Sequence, residues 1–330
     1  MLSAAMVFSL AACGSTSGGS SSDSGQAADS GSAEDSSDEK PETITIQSRN
    51  AEGELTDVEV PYDPERIAIL DMACLDILDN LGVGDRVVGS ASTSLDYLQD
   101  YVTNEEIVNL GTIKEADMEA VMECEPDIIF IGGRLSSSYD ALNEIAPVVY
   151  LATDSEAGVV ESVRTNASTI ASIFGLEDKV DELMEDFDSR IEALSQFAEG
   201  KSAIIGMCTS GSFNVLGNDG RGSIIGKEIG FVNIGVDSNI DTATHGNEAS
   251  FEFVVEKNPE YIFVMDRDAA IGTDGAQLAQ EIMENELVMG TDAYKNGNVV
   301  YLAHPAVWYT AEGGVTALDL MLQDLENELL

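Results

Sequence analysis

The sequence contains an internal repeat, which constrains the fold more than any other feature. Residues 118–134 (MEAVMECEPDIIFIGGR) resemble residues 251–267 (FEFVVEKNPEYIFVMDR) at a constant offset of 133 residues, without gaps. Each unit runs from an apolar helical face through a proline and a strand to an arginine, Arg134 or Arg267. Such a repeat indicates two structural units of similar topology. A chance match of a common proline–acid–strand pattern is the alternative.

Short β-rich runs alternate with helical patterns from residue 66 onward. Strands are predicted at 66–70, 85–89, 127–131, 148–151, 202–207, 260–265 and 298–302, and a helix at 74–81. This alternation favours parallel sheets covered by helices, the α/β class. Together with the repeat, it predicts two similar lobes with parallel-rich central sheets and a ligand cleft between them.

A long amphipathic segment separates the two units. Apolar residues recur at helical spacing through residues 178–198, which predicts one packed helix rather than a flexible linker. A helix of about twenty residues spans ~30 Å, enough to join two lobes as a rigid strut. The predicted α/β lobes are therefore residues 43–177 and 199–330, joined by the helix at 178–198.

The N-terminal residues predict a secretory signal and a tether. Residues 1–12 form an apolar run that is shorter than the ~20 residues of a membrane span and resembles a signal peptide. Cys13 follows Leu10-Ala11-Ala12, a sequence that resembles the lipobox of bacterial lipoproteins. The remainder of 13–42 is almost entirely Gly, Ser, Ala, Asp and Glu, which predicts a disordered tether. We expect Cys13 to be lipidated; a chance cysteine is the alternative, because no basic residue precedes it.

The composition argues against several kinds of partner and chemistry. A formal net charge of −46 opposes binding to nucleic acid or anionic lipid. Cys74, Cys124 and Cys208 lack metal-ligand spacing and are predicted to be buried thiols. The motifs HExxH, GxSxG and paired CxxC do not occur. The sequence therefore predicts a protein that is not an enzyme and that has no cofactor.

Arginines after two strands of the repeat predict an anion site. Ligands of parallel α/β sheets bind beyond the carboxyl ends of the strands, so facing lobes would place Arg134 and Arg267 on opposite walls of a cleft. Guanidinium groups suit anionic oxygen arrays. Tyrosinate and imidazole can ligate ferric iron. The further candidates are Arg221 and His245, both in turn-rich loops, and Tyr309, beside a tryptophan for which core packing is favoured.

From about residue 43 to the C-terminus, the sequence resembles class III solute-binding lipoproteins of the iron-siderophore and cobalamin importers. The group that binds petrobactin and related catecholates is the most similar, through residues 111–115, 125–131, 244–246, 258–272 and 308–309. The resemblance implies capture of a ferric catecholate-type siderophore and its delivery to an ABC importer for iron uptake.

The resemblance also implies roles for single residues. Arg134, Arg221 and Arg267 match the arginine triad that holds the negatively charged ferric complex. His245 and Tyr309 match the protein ligands that complete iron coordination when the siderophore supplies only four donors.

Partners and location follow from the same resemblance. Glu119 and Glu252 match the paired acids, one per lobe, that dock onto the membrane permease. The expected partners are a ferric siderophore, a permease dimer with its cytoplasmic ATPase, and the membrane through the lipid anchor. The chain is expected to be a monomer anchored outside the cytoplasm, on the periplasmic side in a two-membrane envelope.

Three local departures leave the identity of the siderophore open. Gly222 follows Arg221, Asp268 follows Arg267, and residues 311–314 (AEGG, with Glu312) replace a more glycine-rich run. Heme or cobalamin binding on the same fold is an alternative, although cobalamin lacks the negative charge that an arginine triad suits. A surface metal-dependent hydrolase is disfavoured by the missing motifs. A purely structural lipoprotein would leave the paired arginines unexplained.

Overall fold

Two helix-covered β-sheets form the framework of the chain. The computed structural model describes residues 40–236 and 246–330. The strands are β1 (Thr43–Arg49), β2 (Leu55–Pro61), β3 (Ile67–Leu70), β4 (Val87–Ser90), β5 (Val108–Asn109), β6 (Gly111–Thr112), β7 (Glu115–Ala116), β8 (Ile128–Ile131), β9 (Val148–Tyr150), β10 (Ser202–Thr209), β11 (Ser212–Val215), β12 (Val232–Asn233), β13 (Asn247–Glu248), β14 (Tyr261–Asp266) and β15 (Val299–Tyr301). The helices are α1 (Met72–Leu81), α2 (Asp100–Thr103), α3 (Met118–Glu123), α4 (Tyr139–Asn143), α5 (Val159–Phe174), α6 (Asp178–Met184), α7 (Phe187–Ala198), α8 (Ser223–Lys227), α9 (Phe251–Lys257), α10 (Arg267–Ala270), α11 (Ala279–Met283), α12 (Asp292–Lys295), α13 (Pro305–Thr310) and α14 (Val315–Leu329).

The first sheet has the strand order β5-β4-β3-β8-β9, and each neighbouring pair is parallel. All four residues of β3 and all four of β8 are buried, because helices cover both faces of the sheet. Strands buried on both faces read as continuous apolar runs, which is why the sequence pattern located them. The predicted α/β class is confirmed.

The second sheet has the order β13-β11-β10-β14-β15, with β12 pairing beside the start of β10. Its parallel core β10-β14-β15 repeats the arrangement of β3-β8-β9 in the first sheet. In both sheets the strand of the sequence repeat follows a short helix: α3 leads into β8, and α9 leads into β14. The repeat therefore corresponds to two units of similar topology, and β11 and β13 add an antiparallel edge to the second.

The segment predicted as one helix over 178–198 is corrected to two helices, α6 and α7, separated at Glu185 and Asp186. Both residues keep right-handed helical backbone angles, but the Glu185 N–H bonds weakly to the Glu182 carbonyl at 3.5 Å. Like charges four residues apart destabilise a helix, and Asp181–Glu185 and Glu182–Asp186 are two such pairs. Acidic repulsion thus accounts for the interruption, since neither Pro nor Gly occurs there.

Two carboxylates, one buried and one partly buried, connect the halves of the molecule. Asp76 on α1 is fully buried and accepts hydrogen bonds from the backbone N–H groups of Thr316 and Ala317, each at 2.9 Å, at the start of α14. Glu228, directly after α8, accepts a hydrogen bond from the Val159 N–H at the start of α5. A carboxylate at a helix N-terminus satisfies otherwise unpaired donors and complements the helix dipole. Each half therefore supplies a carboxylate that caps a helix of the other half.

The predicted buried thiols and the packing role of the tryptophan are confirmed. Cys74, Cys124 and Cys208 are buried and unpaired. Burial raises the pKa of the Cys208 thiol to about 12, so this group stays protonated at neutral pH. Trp308 is fully buried, and its indole N–H donates to Asp324 at 2.9 Å.

Candidate ligand-binding site

Three arginines converge on the ring of Tyr309. Arg134 follows β8, Arg267 begins α10 directly after β14, and Arg221 lies in the loop before α8. The guanidinium carbons of Arg134, Arg221 and Arg267 lie 6.0, 4.4 and 5.4 Å from the centroid of the Tyr309 ring. Cations at these distances are attracted to the face of an aromatic ring. Four of the predicted site residues therefore form one cluster.

Hydrogen bonds hold the cluster together. The carbonyl oxygen of Tyr309 accepts from Nη2 of Arg134 and from Nε of Arg221, both at 3.2 Å. The phenol oxygen of Tyr309 accepts from Nε of Arg267 at 3.0 Å. A carbonyl shared between two guanidinium groups partly offsets their repulsion. The fold thus holds three positive charges close together, an arrangement suited to a multiply charged anion.

Asp268 orients Arg267, a role that the sequence analysis did not predict. Its carboxylate is 5% exposed and accepts from the Ser210 N–H at 2.6 Å and the Thr209 hydroxyl at 3.1 Å. Nη1 of Arg267 donates to the same hydroxyl at 3.0 Å and to Asp268 at 3.3 Å. The sequence showed only an acid next to a base, which is common on protein surfaces. The hydrogen bonds that Asp268 accepts from Thr209, at the end of β10, and from Ser210, in the following turn, fix the position of this ion pair.

A cavity of about 640 Å³ opens beside the cluster. Its lining comes from both sheets and includes Arg134 and Tyr150 from the first and Arg221, Tyr309 and Glu312 from the region of the second. Arg267 is not part of the lining and reaches the site through its bond to Tyr309. Cavities of this size accommodate small-molecule ligands.

A further cation at the cavity, Arg49 at the end of β1, was not found from the sequence. It lines the cavity, bonds to the carbonyl of Gly53 at 2.8 Å and pairs loosely with Asp154 at 3.8 Å. The hairpin of β1 and β2 that carries it precedes the alternating strands and helices, so their pattern does not indicate its position.

The cavity wall has an unusual balance of charge. Burial lowers the pKa of the Arg221 guanidinium, and the charge of Arg134 lowers it further. Burial also raises the pKa of the Glu312 carboxyl to about 7, against the opposing effects of the Gly222 N–H and the Arg221 charge. A bound ligand of complementary charge would stabilise both the repelling cations and the desolvated carboxylate.

The other predicted residues lie away from this cluster or outside the described chain. Glu119 and Glu252 are exposed in the first turns of α3 and α9, the matching helices of the repeat. His245 and Cys13 fall outside the described residues. Within residues 40–236 and 246–330, no cluster of three His, Cys, Asp or Glu side chains could hold a metal ion. Over the same residues, no helix combines the length and apolarity needed to span a membrane.

Comparison with known proteins gives a consistent result. A family model described as "Periplasmic binding protein" matches residues 67–306. The petrobactin-binding protein YclQ of Bacillus subtilis is 33% identical over 295 residues, which are 89% of this chain and 90% of YclQ. The ferric-anguibactin-binding protein FatB of Vibrio anguillarum is 26% identical over 79% of this chain and 81% of its own length.

Solved structures are similar over almost their whole length. The crystal structure of YclQ has a TM-score of 0.80 at 32% identity and covers 88% of this chain and 99% of its own. The catecholate-siderophore-binding protein VctP of Vibrio cholerae has a TM-score of 0.78 at 31% identity, over 87% and 100%. The chain therefore belongs to the periplasmic binding protein family, whose members bind a solute rather than transform it.

Proposed function

We propose that this chain captures a ferric catecholate-type siderophore outside the cytoplasm and delivers it to an ABC importer for iron uptake. The observation that carries the proposal is the cluster of Arg134, Arg221 and Arg267 around Tyr309, beside a cavity of about 640 Å³. Catecholate oxygens leave a ferric complex with several negative charges, and convergent guanidinium groups compensate them. The relatives that bind petrobactin and catecholates support the same class of ligand.

Tyr309 and His245 are the proposed protein ligands of the iron in this cargo. Tyr309 lines the cavity, and its phenol oxygen already accepts a hydrogen bond from Arg267. A phenolate oxygen is a hard donor that suits ferric iron. A siderophore with four donor atoms would leave two coordination positions, which one tyrosine and one histidine would fill.

Binding of ferric catecholates, and not of heme or cobalamin, is the expected result of a direct titration. The test uses residues 14–330, without the lipidation site, and follows quenching of Trp308, the single tryptophan. Free tryptophan under the same conditions corrects for light absorbed by each ligand. Tight binding should be confined to the ferric catecholates, because only they combine a compact iron centre with several negative charges. Failure to bind any iron complex would refute the proposed function.

Glu119 and Glu252 are proposed to dock onto basic sites of the permease. Both side chains are exposed at matching positions of the repeat, so a permease dimer could contact one from each lobe. Reversing both charges, with Glu119→Arg and Glu252→Arg, should abolish stimulation of the importer's ATPase and leave siderophore binding unchanged. Glu256→Arg, on the exposed face of the same helix α9, is the control. Unimpaired stimulation by the double variant would refute this docking.

Lipid anchoring at Cys13 and a monomeric state complete the proposal. A lipid on Cys13, followed by the polar segment 14–42, would tether the binding unit to the outer face of the membrane. The mass of the mature chain from membranes would reveal the lipid, and loss of membrane association in Cys13→Ala would locate it. Sedimentation of residues 14–330 would give the oligomeric state.

A further inference from the structure

Glu312 places one carboxylate inside a site otherwise dominated by arginines. It lines the cavity in the turn between α13 and α14, and its Oε1 accepts from the Gly222 N–H at 3.2 Å. Gly222 directly follows Arg221, so the carboxylate lies at the edge of the arginine cluster. Among the described residues, no donor bonds to its second oxygen, Oε2.

The other acids at the cavity are engaged or exposed. Asp71 caps α1 by accepting from the Cys74 N–H at 3.0 Å. Asp154 accepts from two backbone N–H groups at 2.8 and 3.1 Å in its own turn. Glu156 and Asp219 are exposed to solvent. Glu312 is thus the acid among these five that combines partial burial, a place beside the arginines and an oxygen left for a ligand.

An ionised carboxylate here has opposite consequences for two kinds of ligand. A ligand with only negative charge would be repelled, because water screens charges poorly in a partly buried site. A ligand that also carries a protonated amine would place that cation against Glu312 and its anionic iron centre against the arginines. Specificity commonly arises from such a pairing of one attractive and one repulsive element.

We propose that Glu312 is a specificity-determining residue that selects ferric catecholate complexes whose linker carries a protonated amine. This inference rests on the proposed function and narrows the class of its ligand. The amine donates a charge-assisted hydrogen bond to Oε2, while Oε1 stays with the Gly222 N–H. The site then matches a ligand of mixed charge, negative at the metal and positive along the chain that joins its catechols.

Two synthetic ligands test the proposal. Both are bis-catecholamides of equal length; one has a secondary amine at the centre of its linker, and the other has a methylene group there. Ferric complexes of each are titrated at pH 8, where Glu312 is largely ionised because its pKa is about 7. In Glu312→Gln, affinity for the amine complex should fall about tenfold, the loss expected for one hydrogen bond to a charged group. Affinity for the methylene complex should stay unchanged or rise.

The control is Glu256→Gln, which removes the same charge from an exposed side chain outside the lining of the cavity. It should leave both affinities within about twofold, since solvent screens that position. Unchanged thermal unfolding of Glu312→Gln would show that the turn is intact. Equal losses for the two complexes in Glu312→Gln would overturn the proposal, as would a wild-type protein that does not prefer the amine complex. If neither complex binds to the wild type, the proposed function itself fails.

Discussion

Replacing Arg134 by alanine is expected to weaken binding of a ferric catecholate by about 3 kcal/mol, roughly 100-fold. Arg134 lines the cavity, and its guanidinium is held 6.0 Å from the ring centroid of Tyr309 by a bond to the Tyr309 carbonyl. Its removal deletes one of the three positive charges of the cluster, and one of the two, Arg134 and Arg221, that line the cavity. The affinity is measured by quenching of Trp308 at low and moderate ionic strength, and the salt dependence should weaken together with the affinity.

Arg164→Ala provides the matched control for this experiment. Arg164 lies on α5 and forms exposed ion pairs with Glu161 and Asp188, so its loss changes the net charge equally without touching the cavity. Surface pairs of this kind contribute ~0–1 kcal/mol, and ligand affinity should change less than about twofold. If Arg134→Ala and Arg164→Ala have the same effect, general electrostatic attraction and not the arginine cluster binds the ligand.

Replacing Tyr309 by phenylalanine is expected to eliminate a tyrosinate-to-iron charge-transfer band from the complex with a tetradentate siderophore. Phenylalanine keeps the ring that lies 4.4 Å from the Arg221 guanidinium carbon, and the main-chain carbonyl that binds two arginines is unaffected. The variant therefore removes the oxygen that would coordinate iron, together with the hydrogen bond that this oxygen accepts from Nε of Arg267. Visible absorption of the complex measures the band. A hexadentate siderophore fills all six positions itself, so its complex should show no such band with either protein.

Tyr150→Phe separates this role from a general effect of phenols in the cavity. Tyr150 lines the same cavity, and its replacement by phenylalanine likewise removes a phenol oxygen. It lies at the end of β9. Its variant should retain the band at wild-type intensity. A band that persists in Tyr309→Phe and disappears in Tyr150→Phe would assign the iron ligand to the other tyrosine.

Local sequence patterns predicted seven strands of the two sheets within one or two residues at each end, but they missed the strands β5, β11, β12 and β13. The segment 127–131 corresponds to β8 (Ile128–Ile131), and 260–265 corresponds to β14 (Tyr261–Asp266). These strands lie at the centres of their sheets, so burial on both faces demands an uninterrupted apolar run. The helix at 178–198 was less accurate, because its apolar stripe does not report the repulsion between acids on its other faces.

The sequence by itself determined that the chain has two repeated α/β units and that an arginine follows the same strand in each. Both facts depend on short-range order, since strand burial and strand ends are encoded within a few neighbouring residues. Only the tertiary structure decided that Tyr309 lies among Arg134, Arg221 and Arg267, that Asp268 orients Arg267, and that Glu312 adds a carboxylate to their cavity. These residues are far apart along the chain or lie in turns without periodic patterns. Their proximity depends on how the two sheets pack and on helix caps such as Asp76. Local sequence propensity does not encode these long-range contacts.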